Sequence, residues 1–170
     1  MIQDTTGRPD SRVSRETAGM TGRPAHDTDR HAVEARKFIV FVVGGANYAV
    51  DSRAVSEVFR DLTPTRVPNC PEWLLGIANL RSEIVTVVEL GKLLGGDPVP
   101  TSQTPKHIVV RIEMMDALIA FRVEKLREIV TVEKSRIKSA SDPTRPFVSG
   151  EFKLREQTFT VVNVGKLVES

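Results

Sequence analysis

Few side chains in this sequence are placed to make or break bonds. His26 and His31 lie beside Asp27 and Asp29, a donor set of the kind that can hold a metal ion. The stretch around them has neither Cys nor further His and almost no large apolar residues, so the cluster reads as a solvated polar run and no metal is expected. Cys70, between Asn69 and Pro71, is the only thiol, and His107 is far from it along the chain with no third member to orient it. A thiol nucleophile needs an adjacent base, so a Cys-His enzyme is not expected. Gly44-Gly45 resembles the start of a phosphate loop, but that pattern needs Gly-Lys-Ser/Thr opening a helix, and here Tyr48-Ala49-Val50 follows as a strand. The acidic pairs have no partner pattern for acid/base work. The sequence thus predicts neither catalysis nor a cofactor; its chemistry is recognition.

Composition narrows the partner. The 24 basic and 22 acidic residues give a net charge of +2, they are interspersed, and only nine aromatics (Phe 7, Trp 1, Tyr 1) are present. A nucleic-acid-binding module of SH3-like type, the alternative from another class, needs cations gathered on one face with aromatics to stack bases; no nucleic acid is expected. The longest apolar runs, Phe38 to Val43 and Ile84 to Val88, fall far short of the roughly 18 to 20 residues of a bilayer span, so no direct membrane insertion is expected. The first residues lack the apolar core of an export signal and the lone cysteine cannot form an intrachain disulfide, which predicts a cytoplasmic protein.

The elements that must carry any binding surface are short strands. Residues 1–36 are rich in Thr, Ser, Gly, Pro, Arg and Asp and are expected to be a flexible tail. Phe38 to Val43 and Tyr48 to Val50 flank a Gly-Asn turn and predict a hairpin. Asp51 to Arg60 suits a short helix turning into a strand, and Pro64, Pro68 and Pro71 punctuate a loop. A strand running to Arg81, a turn at Ser82-Glu83, a strand from Ile84 to Val88 and a short helix to Leu94 follow. After the connector from Gly95 to Lys106 the plan restarts, with strands at His107 to Ile112 and Ala117 to Val123 around a Met114-Met115-Asp116 turn.

Residues 76–94 align without a gap on residues 150–168, with nine of nineteen identical: Gly, Leu-Arg, Thr-Val-Val and Gly-Lys-Leu. Lys125 to Val130 likewise matches Ala54 to Phe59 in its apolar and acidic places. One supersecondary unit is built twice, and the crevice between the halves is where a binding surface is expected. The predicted fold is all-β: two small five-stranded barrels, the first over about 38–95 and the second over about 106–168, within a domain of residues 37–170.

Phe38-Ile39-Val40-Phe41 with Tyr48-Ala49-Val50, Val55-x-Glu57-Val58, Val67-Pro68 followed by Pro71, Gly76-Ile77-Ala78-Asn79-Leu80-Arg81 and Val85-x-Val87-Val88-Glu89-Leu90, in that order, resemble the CheW family of bacterial chemosensory adaptors. The resemblance covers residues 38 to about 168. It implies two SH3-like barrels related by approximate two-fold symmetry, no catalytic activity, and a role in tethering the regulatory domain of a CheA-type histidine kinase to the signalling tip of methyl-accepting chemoreceptors, at membrane-associated receptor arrays. An accessory version serving a pilus, gliding or other alternative pathway is equally compatible. The family usually has Gly, Pro and Asp where this chain has Ser82, Thr86 and Glu89, and Asp where it has Glu124. A turn glycine often serves positive φ, so Ser82 implies a different turn type or strain, and a reshaped receptor-facing loop.

The candidate interaction residues follow. Arg81 ends a strand at a turn, where a guanidinium can donate to a partner's carboxylate or carbonyls; the resemblance implies a part in receptor and kinase coupling, while Arg155 at the equivalent place favours a plain surface role. Val55, Glu57 and Val58 match the segment bordering the receptor groove, with Val58 expected in the core and Glu57 solvated. Gly76, Asn79 and Ser82 complete the motif, Asn79 either capping the turn or touching a partner. Trp73-Leu74-Leu75 is expected to be core.

Overall fold

The computed structural model describes residues 34–100, 104–140 and 143–168. Its strands are β1 (Ala35–Val43), β2 (Ala46–Asp51), β3 (Val55–Phe59), β4 (Leu74–Leu80), β5 (Glu83–Glu89), β6 (Lys106–Ile112), β7 (Ala117–Val123), β8 (Lys125–Glu133), β9 (Lys138–Ser139), β10 (Val148–Leu154) and β11 (Gln157–Val162), with one short helix, α1 (Leu90–Leu93). The fold is all-β. Asp51 to Arg60 forms as expected, a 3-10 turn over Ser52–Ala54 running into β3, with the Asp51 side chain accepting from the Arg53 N–H. β1 begins earlier than expected: Ala35 and Arg36 pair with Glu133 and Val132, so the end of the anticipated tail belongs to the sheet. His26 and His31 lie outside the described residues.

The strands pair across the sequence halves. One sheet has the order β8-β1-β2-β11-β10-β9 and the other β3-β6-β7-β5-β4. Exchanging each strand for its repeat counterpart turns the first five strands of one order into the other. The expected division into sequential barrels, 38–95 and 106–168, is therefore not how the chain pairs. Each half donates its leading hairpin, β1-β2 or β6-β7, to the sheet completed by the other half. The donated hairpins join through parallel pairs, Thr160 and Val161 of β11 with Tyr48 and Ala49 of β2, and β5 with β7 from Val85/Leu118 to Glu89/Arg122.

Burial explains why the hairpins are exchanged. Along β1, Phe38 and Val40 enter the core inside the first sheet, while Phe41 and Val43 enter another core shared between the sheets; β7 does the same, with Leu118 and Ala120 inside the second sheet and Ile119, Phe121 and Val123 in the shared core. Strands buried on both faces read as continuous apolar runs, not as an alternation. The shared core gathers Phe41, Val50, Ile108, Val110, Phe121 and Val162 among others, so the seam is packed solid through its middle. What stays open is a groove of about 410 Å³ at its rim, lined by residues such as Asp51, Arg53, Arg111, Met114 and Val164. None of the seven predicted interaction residues lines it.

Phe121 is fully buried at the centre of the shared core, whereas Ile84 is 67% exposed. Phe121→Ala is expected to cost about 3 to 5 kcal/mol and Ile84→Ala less than about 0.5 kcal/mol in urea unfolding; equal costs would contradict a core shared between the sheets.

Candidate functional site

Strand order puts β3 and β4 at opposite edges of their sheet, yet Arg81 Nη1 lies 3.1 Å from Glu57 Oε2, and the Arg81 guanidinium stands 5.6 Å from the centre of the Phe59 ring. The sheet has curled until its edges meet, and Arg81 clasps them. Beside this clasp the backbone of Thr65 pairs with Ile77 through two hydrogen bonds of 2.7 and 2.9 Å, covering the outer edge of β4.

Arg81 is held in place by its turn. The structure puts Arg81 and Ser82, not Ser82 and Glu83, at the centre of the β4-β5 hairpin, with φ of 50° and 73°, the pair of positive values that a two-residue turn of the primed type requires. The turn type favoured by glycine is retained, and Ser82 carries the strain of a left-handed backbone. Asn79 offsets part of it by accepting the Ser82 N–H on Oδ1 at 3.1 Å. Asn79 therefore caps the turn.

The Arg81 side chain is 76% exposed and that of Glu57 24%. An ion pair so open to water contributes only about 0 to 1 kcal/mol, and the guanidinium keeps donors free for another group. Val58 and Glu57 reverse their expected places. Phe59 holds an inward position against the core, so strand alternation turns Glu57 inward with it and Val58 outward, 43% exposed. Val55 is half-buried against the shared core. Gly76 is buried, with φ 137°, and a Cβ there would lie 2.1 Å from the Thr65 carbonyl oxygen. Its role is to let that backbone close over β4.

The structure thus gathers Glu57, Asn79, Arg81 and Ser82 at one edge closure, leaves Val58 exposed on the adjoining strand, and gives Gly76 and Val55 structural surroundings. Sequence reasoning missed the outward-facing Ile77 and Ile84, 39% and 67% exposed; both stood within apolar runs, and the signal was the strict alternation of β4 with Ala78 and Leu80. The clasp recurs in the other sheet. Arg155 Nη1 meets Glu128 Oε1 at 2.9 Å, and Arg155 and Glu156 have φ of 48° and 62°. The scaffold alone accounts for the ion pair; the cation over an aromatic ring belongs to Arg81, since Val130 aligns with Phe59.

A second polar group lies across one end of the same sheet, where Glu89, Arg122 and His107 stand side by side on β5, β7 and β6. Glu89 and His107 are each 2% exposed. Glu89 accepts from the Val99 N–H at 3.1 Å and lies 3.4 Å from Arg122 Nη1, which ties the connector to the sheet. Burial raises the Glu89 carboxyl above its ordinary range against the pull of these partners. Burial, helped by Arg122, lowers the His107 imidazole to about 4. The Cys70 thiol donates to the Val67 and Leu74 carbonyls at 3.0 and 3.4 Å. Among the described residues no group of three His, Cys, Asp or Glu is placed to hold a metal ion, and no helix is long and apolar enough to cross a membrane.

The unfolded chain protonates His107 first as the pH falls, so the stability this residue permits is complete above about 6.5 and declines toward 4. Glu89 acts oppositely, because its raised value lets the folded state take up a proton first. Between pH 7 and 5 the parent is expected to lose about 2 kcal/mol through His107, a loss that His107→Leu removes. Parallel stability curves for parent and variant would contradict the assignment.

A family model described as a CheW-like domain matches residues 37–170. The chain is 31% identical over 107 residues to the chemotaxis protein CheW of Bacillus subtilis, covering 62% of this chain and 67% of that one. It is 26% identical over 162 residues to Protein PilI of Pseudomonas aeruginosa, covering 94% and 87%. The crystal structure of scaffolding protein TtCheW from Thermoanaerobacter tengcongensis superposes with a TM-score of 0.73 at 26% identity, over 81% of this chain and 94% of that one.

Proposed function

This chain belongs to the CheW-like domain family, and we propose that it works as a non-catalytic adaptor coupling the regulatory domain of a CheA-type histidine kinase to the signalling tip of methyl-accepting chemoreceptors. The observation that carries this reading is the match of the family over residues 37–170, with its Asn-Leu-Arg element falling on an exposed clasp. Arg81 and Glu57 offer opposite charges at a sheet edge, beside apolar Val58. A receptor helix or a kinase domain can engage such a surface by exchanging one ion pair for another and covering the apolar side chain. The protein would act in the cytoplasm, on receptor arrays held at the membrane.

A pilus, gliding or other alternative chemosensory pathway is the second reading. Similarity that runs over 94% of this chain with Protein PilI favours it. A pull-down identifying the kinase and receptor separates the two.

Arg81→Glu is expected to leave the circular dichroism spectrum unchanged and stability within about 1 kcal/mol of the parent, while reducing co-sedimentation with kinase and receptor about tenfold. Arg155→Glu, which breaks the equivalent clasp, is the control and should assemble like the parent. If restoring the ion pair in Arg81→Glu/Glu57→Arg also restores assembly, Arg81 serves only the scaffold and the assignment is overturned.

A further inference from the structure

The repeat supplies an internal control. Both copies keep the same backbone devices: a glycine under a neighbouring carbonyl, Gly76 beneath Thr65 and Gly150 beneath Lys138, a hairpin turn with two positive φ values, and an Arg–Glu clasp. Side chains that differ at matched outward positions are then not dictated by the fold. On the outer face of β4-β5 stand Ile77, Asn79, Ile84 and Thr86; the aligned places on β10-β11 hold Glu151, Lys153, Thr158 and Thr160. One copy has kept an apolar face and the other a charged one.

The charged copy borders a groove of about 330 Å³ lined by Ser135, Arg136, Lys138, Lys153 and Thr158 together with Glu151. Glu151 is matched by Arg145 at 3.3 Å. Arg136, Lys138 and Lys153 have no carboxylate partner among the described residues; Arg136 Nη2 donates to the Lys153 carbonyl at 3.3 Å. The β10 edge beneath them is covered by the chain itself: β9 pairs with Gly150 and Glu151, the Ala140 N–H donates to the Ser149 carbonyl, and Arg136 takes the Lys153 carbonyl. Phe152 is 2% exposed, so the groove presents no aromatic face for base stacking, and what it offers is charge, which suits the carboxylates of an acidic segment.

We propose that this groove binds an acidic segment of a partner protein, with its carboxylates on Arg136, Lys138 and Lys153. The site goes beyond the adaptor reading: it lies on the sheet that does not carry Arg81. Lysines on a strand edge also keep copies of a protein from pairing with one another, and the test separates that role from binding.

Fluorescence anisotropy of a short fluorescein-labelled oligoglutamate peptide, added to the full chain at low salt, reads the binding directly. The parent binds, and affinity falls as salt rises. Lys138→Glu/Lys153→Glu is expected to bind about tenfold more weakly, and Lys138→Gln/Lys153→Gln, which keeps the edge uncharged, also binds more weakly. Lys37→Glu/Lys125→Glu, with the same change in net charge elsewhere on the sheet, binds within about twofold of the parent, and Arg81→Glu binds unchanged whether or not the adaptor reading holds. No binding by the parent, equal losses in both charge-reversed pairs, or tighter binding of a single-stranded oligothymidylate lost in the same variants would overturn the proposal.

Discussion

Everything on the surface of this protein depends on the apolar core that two exchanged hairpins share. β1-β2 and β6-β7 each have one face inside a sheet and the other against the opposite hairpin, so neither sheet is complete without strands from the other half of the chain. Removing that apolar surface from water is the dominant favourable term available, at roughly 25 cal/mol per Å², and it forces the two sheets into one cooperative body. The edge closures then follow: a short sheet pinned along the shared core curls, its free edges approach, and an arginine at the hairpin tip reaches the glutamate of the facing edge. The Arg81–Glu57 and Arg155–Glu128 pairs are consequences of the curl rather than its cause, being too exposed to hold it.

In the proposed adaptor role, this division of labour would leave the Arg81 clasp free for a partner. A contact that contributes little to folding can be surrendered to a partner at little cost, and the strained Arg81-Ser82 turn keeps the guanidinium in position before any partner arrives. Preorganisation of this kind lowers the entropic cost of association. The polar group at the other end of the sheet does different work: Glu89 holds the connector through the Val99 N–H beside the half-buried Arg122, and Glu89 and His107 are each 2% exposed.

Much of the fold was legible in the residues because it is local. The repeat, the first hairpin at Gly44-Gly45, the helix-to-strand passage at Asp51 to Arg60 and the all-β class follow from turn chemistry and apolar patterning, and the family match agrees with them. The exchange of hairpins was not legible. A continuous run such as Phe38 to Val43 announces burial on both faces but not which strand lies across each face, and pairings like Val85 with Leu118 join residues far apart in the chain. The placement of Arg81 and Asn79 at a hairpin end was legible from their types. That of Val58 and Glu57 was misread, because side-chain type pointed one way and strand alternation, anchored by Phe59, the other. Gly76 looked like part of a recognition motif, while its position beneath Thr65 is a close backbone approach that the motif did not reveal.

The exchange itself is open to a direct trial. Residues 34–98 and 104–170 produced as separate fragments each lack the hairpin that completes their sheet, so each alone is expected to give the circular dichroism of an unfolded chain, and mixing them should restore the β-sheet signal in a one-to-one complex. A fragment that folds cooperatively by itself, with no further change on adding its counterpart, would contradict a shared core as the origin of the structure.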